Sequence, residues 1–217
     1  TLPAADELWL HAFSQGIAAA ASEYRLPLVG GDTTRGPLTI TVQVMGALPP
    51  DRALLRGGAR PGDGLYVSGF LGDAAAALAV LAGDWRPAPG HTQYLLDRFN
   101  RPRARLALGI ALLGSASAAI DISDGLLADA GHIAAASGVR LRIDPGLLPL
   151  SAALASHADA AQARRWALTG GDDYELCFCL PAGTEAPAGC TRIGCVEQGS
   201  GVDCGLGFGS DTGYQPF

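Results

Sequence analysis

AAIDISDGLLADAGHIAAASGVRLRID, residues 118–144, holds the local pattern that decides the fold. AAIDIS is a short apolar run of the kind a buried strand makes, and VRLRID (139–144) alternates apolar and polar residues as a half-buried strand does. Between them Leu126, Leu127, Ala130, Ile133, Ala134 and Ser137 recur at helical spacing, with Ser123 or Asp124 expected to cap the start and Gly138 to close the end. Three aspartates interrupt this apolar stretch. Asp121 ends the first strand and Asp124 begins the helix, so their carboxylates are expected on one edge of the strand-to-helix junction. At about 4 Å two such charges repel by roughly 4 kcal/mol at an effective dielectric near 20. An arginine from elsewhere, a shared proton or a divalent metal would relieve that repulsion, and hard oxygen donors suit Mg²⁺ held together with substrate phosphates. The plainer alternative is an N-cap beside a solvated strand end. Asp129 is expected on the wet side of the helix, near His132.

Outward from this unit, residues 4–24 place Leu8, Ala12, Phe13, Ile17, Ala20 and Tyr24 on one helical stripe, with Asp6 and Glu7 near its start. LPLVGG (26–31) reads as a short strand, and LTITVQVMG (38–46) alternates as a strand with two differently used faces. LPPDRALLRGGARPGD (48–63) concentrates three prolines and three glycines in sixteen positions, which predicts a boundary between a first domain over 1–50 and a second over 51–217. Beyond it GLYVSG reads as a strand and LGDAAAALAVLAG, HTQYLLDRF and ARLALGIALLG as helices. A further helical piece is expected at 152–167, strands at YELCFCL (174–180) and TRIGCVE (191–197), and a loop over 199–213. Strands and helices mixed without strict alternation predict an α+β fold of mixed sheets covered by helices.

Composition narrows the chemistry. The chain has 217 residues, 48% of them hydrophobic, and a formal net charge of −6, which supplies core material and argues against a nucleic-acid partner. No run of about 18 apolar residues points to a membrane span, and TLPAADELW lacks the pattern of a secretory signal, so a cytoplasmic setting is expected. All fifteen basic residues are arginine. With no lysine, this chain offers neither a Walker A ammonium nor a Schiff base. The five cysteines form no CxxC pair and read as reduced structural thiols.

Three other loops carry glycine and acid together. GGDTTRG (30–36) ends a predicted strand with Gly31 and Asp32 at its mouth, SGFLGDAAAA (68–77) turns into a helix, and GGDDYELC (170–177) brings Asp172 and Asp173 before a strand. Each suits a phosphate and its metal, or a plain turn. The isolated histidines and the absence of a GxSxG motif give no covalent nucleophile.

Taken together, LVGGDTTRG (28–36), LRGGARPGD with LYVSGFLGDAAAAL (55–78), NRPRARLALG (100–109), AIDISDGLLADAGHIAAASGV (119–139), LPLS (148–151) and LTGGDDYELCFCLP (168–181) resemble the thiamine-monophosphate kinase family. Its superfamily also holds aminoimidazole ribonucleotide synthetase and selenophosphate synthetase. The resemblance implies a two-domain synthetase-like fold and ATP-dependent phosphorylation of thiamine monophosphate to thiamine diphosphate with Mg²⁺. It implies nucleotide and metal contacts at Gly31 and Asp32, a phosphate-binding Arg56, metal ligands at Asp121 and Asp124, and an ATP contact at Ser123 between them. Asp172 stands where the family usually has Glu in GGEDYEL, near the thiamine substrate, and Tyr214 in the closing GYQPF resembles an aromatic thiamine contact. Family members carry a further segment before the position of Thr1, so the first domain is expected to be only partly present, and the intact protein is expected to be a homodimer. A sister synthetase of the superfamily, or a non-catalytic fragment that retains the fold, are the alternative readings.

Overall fold

The computed structural model describes residues 1–157 and 159–206, in two compact units, Thr1–Leu48 and Pro49–Phe217. In the first unit, helix α1 (Glu7–Tyr24) starts where the Asp6 carboxylate accepts the Leu8 and Trp9 N–H groups at 3.0 and 3.1 Å. It stops at Arg25, whose left-handed backbone and N–H bonded back to Ser22 close the last turn. The expected strands at 26–31 and 38–46 are absent here: neither segment has ladder partners, and Val29, Leu38, Ile40, Val42 and Val44 are exposed. Alternation specifies a pleated chain with two faces, but a strand also needs a neighbour to receive its hydrogen bonds. One isolated parallel bridge, Leu2 with Arg35, is what the described residues of this unit form.

The second unit is built on a six-stranded sheet. Its strands are β1 (Gly64–Ser68), β2 (Ala118–Asp121), β3 (Arg140–Ile143), β4 (Leu176–Leu180), β5 (Cys190–Glu197) and β6 (Gly201–Asp203), in the spatial order β2-β4-β1-β5-β3-β6. All neighbouring pairs are antiparallel except β3 with β6. β6 falls inside the stretch expected to be loop; three residues, the first of them glycine, give too short a pattern to read. The helices are α2 (Asp73–Ala82), α3 (His91–Asn100), α4 (Leu106–Leu112), α5 (Leu126–Ser137), α6 (Ala152–Ala155) and α7 (Ala160–Thr169), so two helices, α6 and α7, stand where one helical piece is expected at 152–167.

The period-2 pattern of the strands sorts their side chains to two faces. Leu65, Val67, Ile120, Cys177, Cys179, Leu141 and Ile193 pack on one side with Leu126, Leu127, Ala130, Ile133 and Ala134 of α5 and with Ala167 and Leu168 of α7. Ala119, Phe178 and Leu180 pack on the other with Leu112 of α4, and Tyr66 stacks on Phe178 with ring centroids 5.7 Å apart. A third apolar cluster, with Ala76, Ala77, Leu95, Leu154 and Ala163, joins α2, α3, α6 and α7. The cysteines are free, and burial pushes the Cys179 thiol up to about 12, as suits structural thiols. No helix among the described residues is long and apolar enough to cross a membrane.

Candidate active site

Two segments define the end of the sheet where chemistry can be presented: Asp121–Gly125, leaving β2 for α5, and Gly170–Glu175, leading from α7 into β4. They run side by side. Ile122 N–H donates to the Glu175 carbonyl at 2.8 Å, Tyr174 N–H to the Ile122 carbonyl at 2.9 Å, and Asp172 N–H to the Ser123 carbonyl at 2.9 Å. The approach is close enough to demand glycine. Gly125 has φ near 120°, and a Cβ there would stand 2.7 Å from the Thr169 carbonyl oxygen. Asp172 and Tyr174 also take positive φ, 64° and 50°, so the GGDDYE segment is a turned, not a pleated, approach to β4.

This paired backbone sorts its acids. Asp121 and Asp124 are exposed and Asp172 half-buried, while Asp173 and Glu175 are buried. Tyr174 is exposed among the outward group. Its hydroxyl donates to Asp172 Oδ1 at 3.3 Å, and its pKa is raised first by partial burial, then by the charges of Asp172, Asp121 and Asp124. Asp172 thus meets the phenol directly, and the charges of Asp121 and Asp124 on the neighbouring segment are felt there. Among the described residues no arginine pairs with Asp121 or Asp124. Ser123 between them is half-buried.

The inward acids form a different structure. Asp173 accepts Gly72 N–H at 2.6 Å and Ala74 N–H at 3.4 Å, closing the N-terminus of α2. The SGFLGD turn thus has its Gly72 amide, with that of Ala74, taken by an internal carboxylate, and its Gly69 and Leu71 amides taken by the Gly189 and Pro149 carbonyls. Glu175 accepts from the Ser68 hydroxyl at 2.5 Å and from Arg98 Nη2 at 3.1 Å, and Arg105 grips it through Nε at 2.7 Å and Nη2. Asp73 takes the Tyr94 and Ser151 hydroxyls at 2.7 and 2.5 Å. Burial raises the pKa of Asp73 and pushes Asp173 up to about 7. Sequence reasoning missed Glu175, Arg98 and Arg105; an acid inside the apolar YELCFCL run, with arginines clustered elsewhere, was the available signal.

Two expectations about α5 are corrected here. Neither Ser123 nor Asp124 caps the helix, because the cap position falls on Gly125, which has no side chain to offer. Asp129 is not on a wet face: it is 2% exposed, and its Oδ2 accepts the N–H groups of Ser123, Asp124 and Gly125 at 2.9, 3.0 and 3.1 Å. A carboxylate one turn into the helix folds back to do what the glycine cannot.

The other expected contacts lie on other segments of the chain. The carbonyl of Arg56 accepts from the Ser137 hydroxyl at 3.3 Å, so its backbone lies by the C-terminal end of α5. That helix, about 18 Å long at 1.5 Å per residue, separates this contact from Asp124. Gly31 and Asp32 belong to the first unit, where Asp32 is exposed and accepts the N–H of Thr33 at 2.7 Å. Tyr214 lies outside the described residues. Among the described residues no three His, Cys, Asp or Glu side chains converge as a metal cage. Two exposed, arginine-free carboxylates on one edge still fit Mg²⁺ in its usual mode, in which one or two carboxylates share the ion with water and substrate phosphates.

The sequence that folds into this helix-covered, largely antiparallel sheet matches the AIR synthase related proteins. The family model for their N-terminal domain matches residues 1–48 and that for their C-terminal domain residues 60–198. The thiamine-monophosphate kinase of Salmonella typhimurium is 52% identical over 182 residues, which cover 83% of this chain and 56% of that protein. The crystal structure of thiamine-monophosphate kinase from Stenotrophomonas maltophilia K279a matches with a TM-score of 0.88 at 42% identity, over 94% of this chain and 69% of that one. AaThiL complexed with AMPPCP and TMP matches with a TM-score of 0.84 at 32% identity, over 100% of this chain and 71% of that one. The chain belongs to the thiamine-monophosphate kinase family. It spans little more than half the length of the Salmonella relative.

Proposed function

We propose that the intact protein transfers the terminal phosphoryl group of ATP to the phosphate of thiamine monophosphate, giving thiamine diphosphate. The observation that carries this reading is the outward group, Asp121, Asp124, Asp172 and Tyr174, set on two hydrogen-bonded segments in a chain without lysine. Asp121 and Asp124 would hold Mg²⁺, which would neutralise charge on the transferring phosphoryl group where other kinases use an ammonium. Ser123, whose N–H is held by Asp129, would meet the nucleotide between them. Gly31, Asp32 and Arg56 would complete the contacts to nucleotide, metal and phosphate, with Asp172, Tyr174 and Tyr214 on the thiamine side.

The acceptor explains why no general base stands out. A phosphate monoester has its second pKa near 6, so it arrives as an anion and no proton must be taken from it before attack. What the residues must do is hold two anions in line, and positioning is the larger part of phosphoryl-transfer catalysis. The first unit would be the latter part of an ATP-binding and dimerisation domain. Its exposed Leu38, Ile40, Val42 and Val44 support assembly with further chain, and a cytoplasmic homodimer is the expected setting.

The test is product formation by the purified intact protein from ATP, MgCl₂ and thiamine monophosphate, read by chromatography of thiamine diphosphate. Turnover that requires Mg²⁺ and is selective for thiamine monophosphate over other phosphate acceptors is expected. Mg²⁺-independent turnover, or preference for an unrelated acceptor, would overturn the assignment.

A further inference from the structure

The inner contacts of Asp129 bear on the outer face. Its carboxylate is fully enclosed, and a buried anion is tolerated only where hydrogen bonds replace water. Here three backbone N–H groups from consecutive residues converge on a single oxygen, all within 3.1 Å, at the positive end of α5. Those three residues are Ser123, Asp124 and Gly125, the turn that carries one candidate metal ligand and follows the other by two positions. With three successive N–H groups aimed inward at one point, the peptide planes of the turn are fixed, and the Asp124 side chain is left exposed, as is that of Asp121 three residues earlier. Gly125, the cap residue, provides no alternative acceptor. No other described side chain accepts from these three amides.

We propose that Asp129 is a positioning residue for the reaction: it sets the 123–125 turn so that Asp121 and Asp124 present their carboxylates together to the divalent cation. The inference rests on the phosphoryl-transfer reading above. It differs from a simple capping role in a measurable way. A cap contributes to stability alone, whereas a residue that orients metal ligands also changes metal affinity in a protein that is still folded.

The experiment compares Asp129→Ala, Asp129→Asn and, as control, Asp121→Asn in the intact protein. Mn²⁺ is the probe, its free concentration followed by electron paramagnetic resonance; hydrogen exchange of the 123–125 amides and thermal melting are followed in parallel. Asp129→Ala is expected to weaken Mn²⁺ binding by about 10- to 100-fold, the usual cost of losing a residue that orients a ligand, and to speed exchange at 123–125. Asp129→Asn keeps one acceptor oxygen but loses the charge, and should weaken Mn²⁺ by about 3- to 10-fold, since charge-assisted bonds are roughly twice as strong as neutral ones. It is isosteric and carries the test if the alanine variant does not fold. Faster exchange in a folded Asp129 variant with Mn²⁺ affinity unchanged, while Asp121→Asn weakens it, would overturn the positioning role. Unchanged Mn²⁺ affinity in Asp121→Asn itself would instead overturn the metal reading on which the inference stands.

Discussion

Asp172 and Asp173 are neighbours in the chain and opposites in environment. Asp172 stands with Asp121, Asp124 and Tyr174 on the outer face, within reach of a small molecule, while Asp173 is buried against the amides that begin α2. The same division separates Asp124 from Asp129 along α5. In each pair one acid is turned outward, where the proposed function would use it, and the other accepts backbone N–H groups of a neighbouring turn. An acid-rich motif in this fold is therefore two devices superposed, and substitutions in the two sets should fail in different ways: inner ones by stability, outer ones by binding and rate.

The sharpest break of this comparison is on the inner side. Glu175→Ala leaves Arg98 and Arg105 without their common carboxylate, and removing one partner of a buried ionic cluster costs about 3–5 kcal/mol. Denaturant unfolding should show a loss of that size. A loss below about 1 kcal/mol would mean that the cluster is solvated and the division wrong. On the outer side, Asp121→Asn should lower kcat/KM by at least about 100-fold, a change of about 2.7 kcal/mol at 1.36 kcal/mol per decade. Its melting temperature should stay near that of the parent, because exposed substitutions usually fall within about 0.5 kcal/mol.

Asp173 gives a pH signature. Its pKa is about 7 in the folded protein against an ordinary 3.8, so between these values the native state holds a proton that the unfolded chain has released. The stability contributed by this group is fully present below pH 4 and declines as the pH rises through 7, with a slope of at most about 1.4 kcal/mol per unit. Asp173→Asn should flatten that part of the stability profile between pH 4 and 7, measured by urea unfolding at several pH values. A wild-type slope retained in the variant would assign the titration elsewhere. The smallest effect is expected at Asp172, one methylene shorter than the usual glutamate. Asp172→Glu should change the KM for thiamine monophosphate by no more than about 10-fold, or 1.4 kcal/mol, and leave the KM for MgATP unaltered. A change confined to MgATP would move Asp172 to the nucleotide side.

Much of this was legible in the sequence, and the failures have physical causes. The apolar stripe Leu126, Leu127, Ala130, Ile133, Ala134 is the face that α5 buries, and β1, β2, β3 and β5 fall where short apolar or alternating runs place them. Period and propensity report on a residue's own element. Asp129 defeated that logic because its role lies in a contact made backward along the chain; a glycine at the cap position with a carboxylate one turn later was the signal, since the orphan amides must go somewhere. Glu175 and its arginines come together from separate elements, α3, the residue preceding α4, and the approach to β4. Spacing along the chain carries no such information. For 38–46 the alternation predicts a strand that the structure does not form, because strand formation depends on pairing partners that the sequence pattern does not specify.

The central claim, that the outward carboxylates bind metal and phosphates while the inward ones hold the fold, is tested most directly by calorimetric titration of MgATP into the intact protein and its Asp121→Asn and Asp124→Asn variants, with melting curves of each. Binding should fall by at least about 10-fold in both variants while their melting transitions stay with that of the parent. Undiminished MgATP affinity, or a loss that simply follows unfolding, would contradict it.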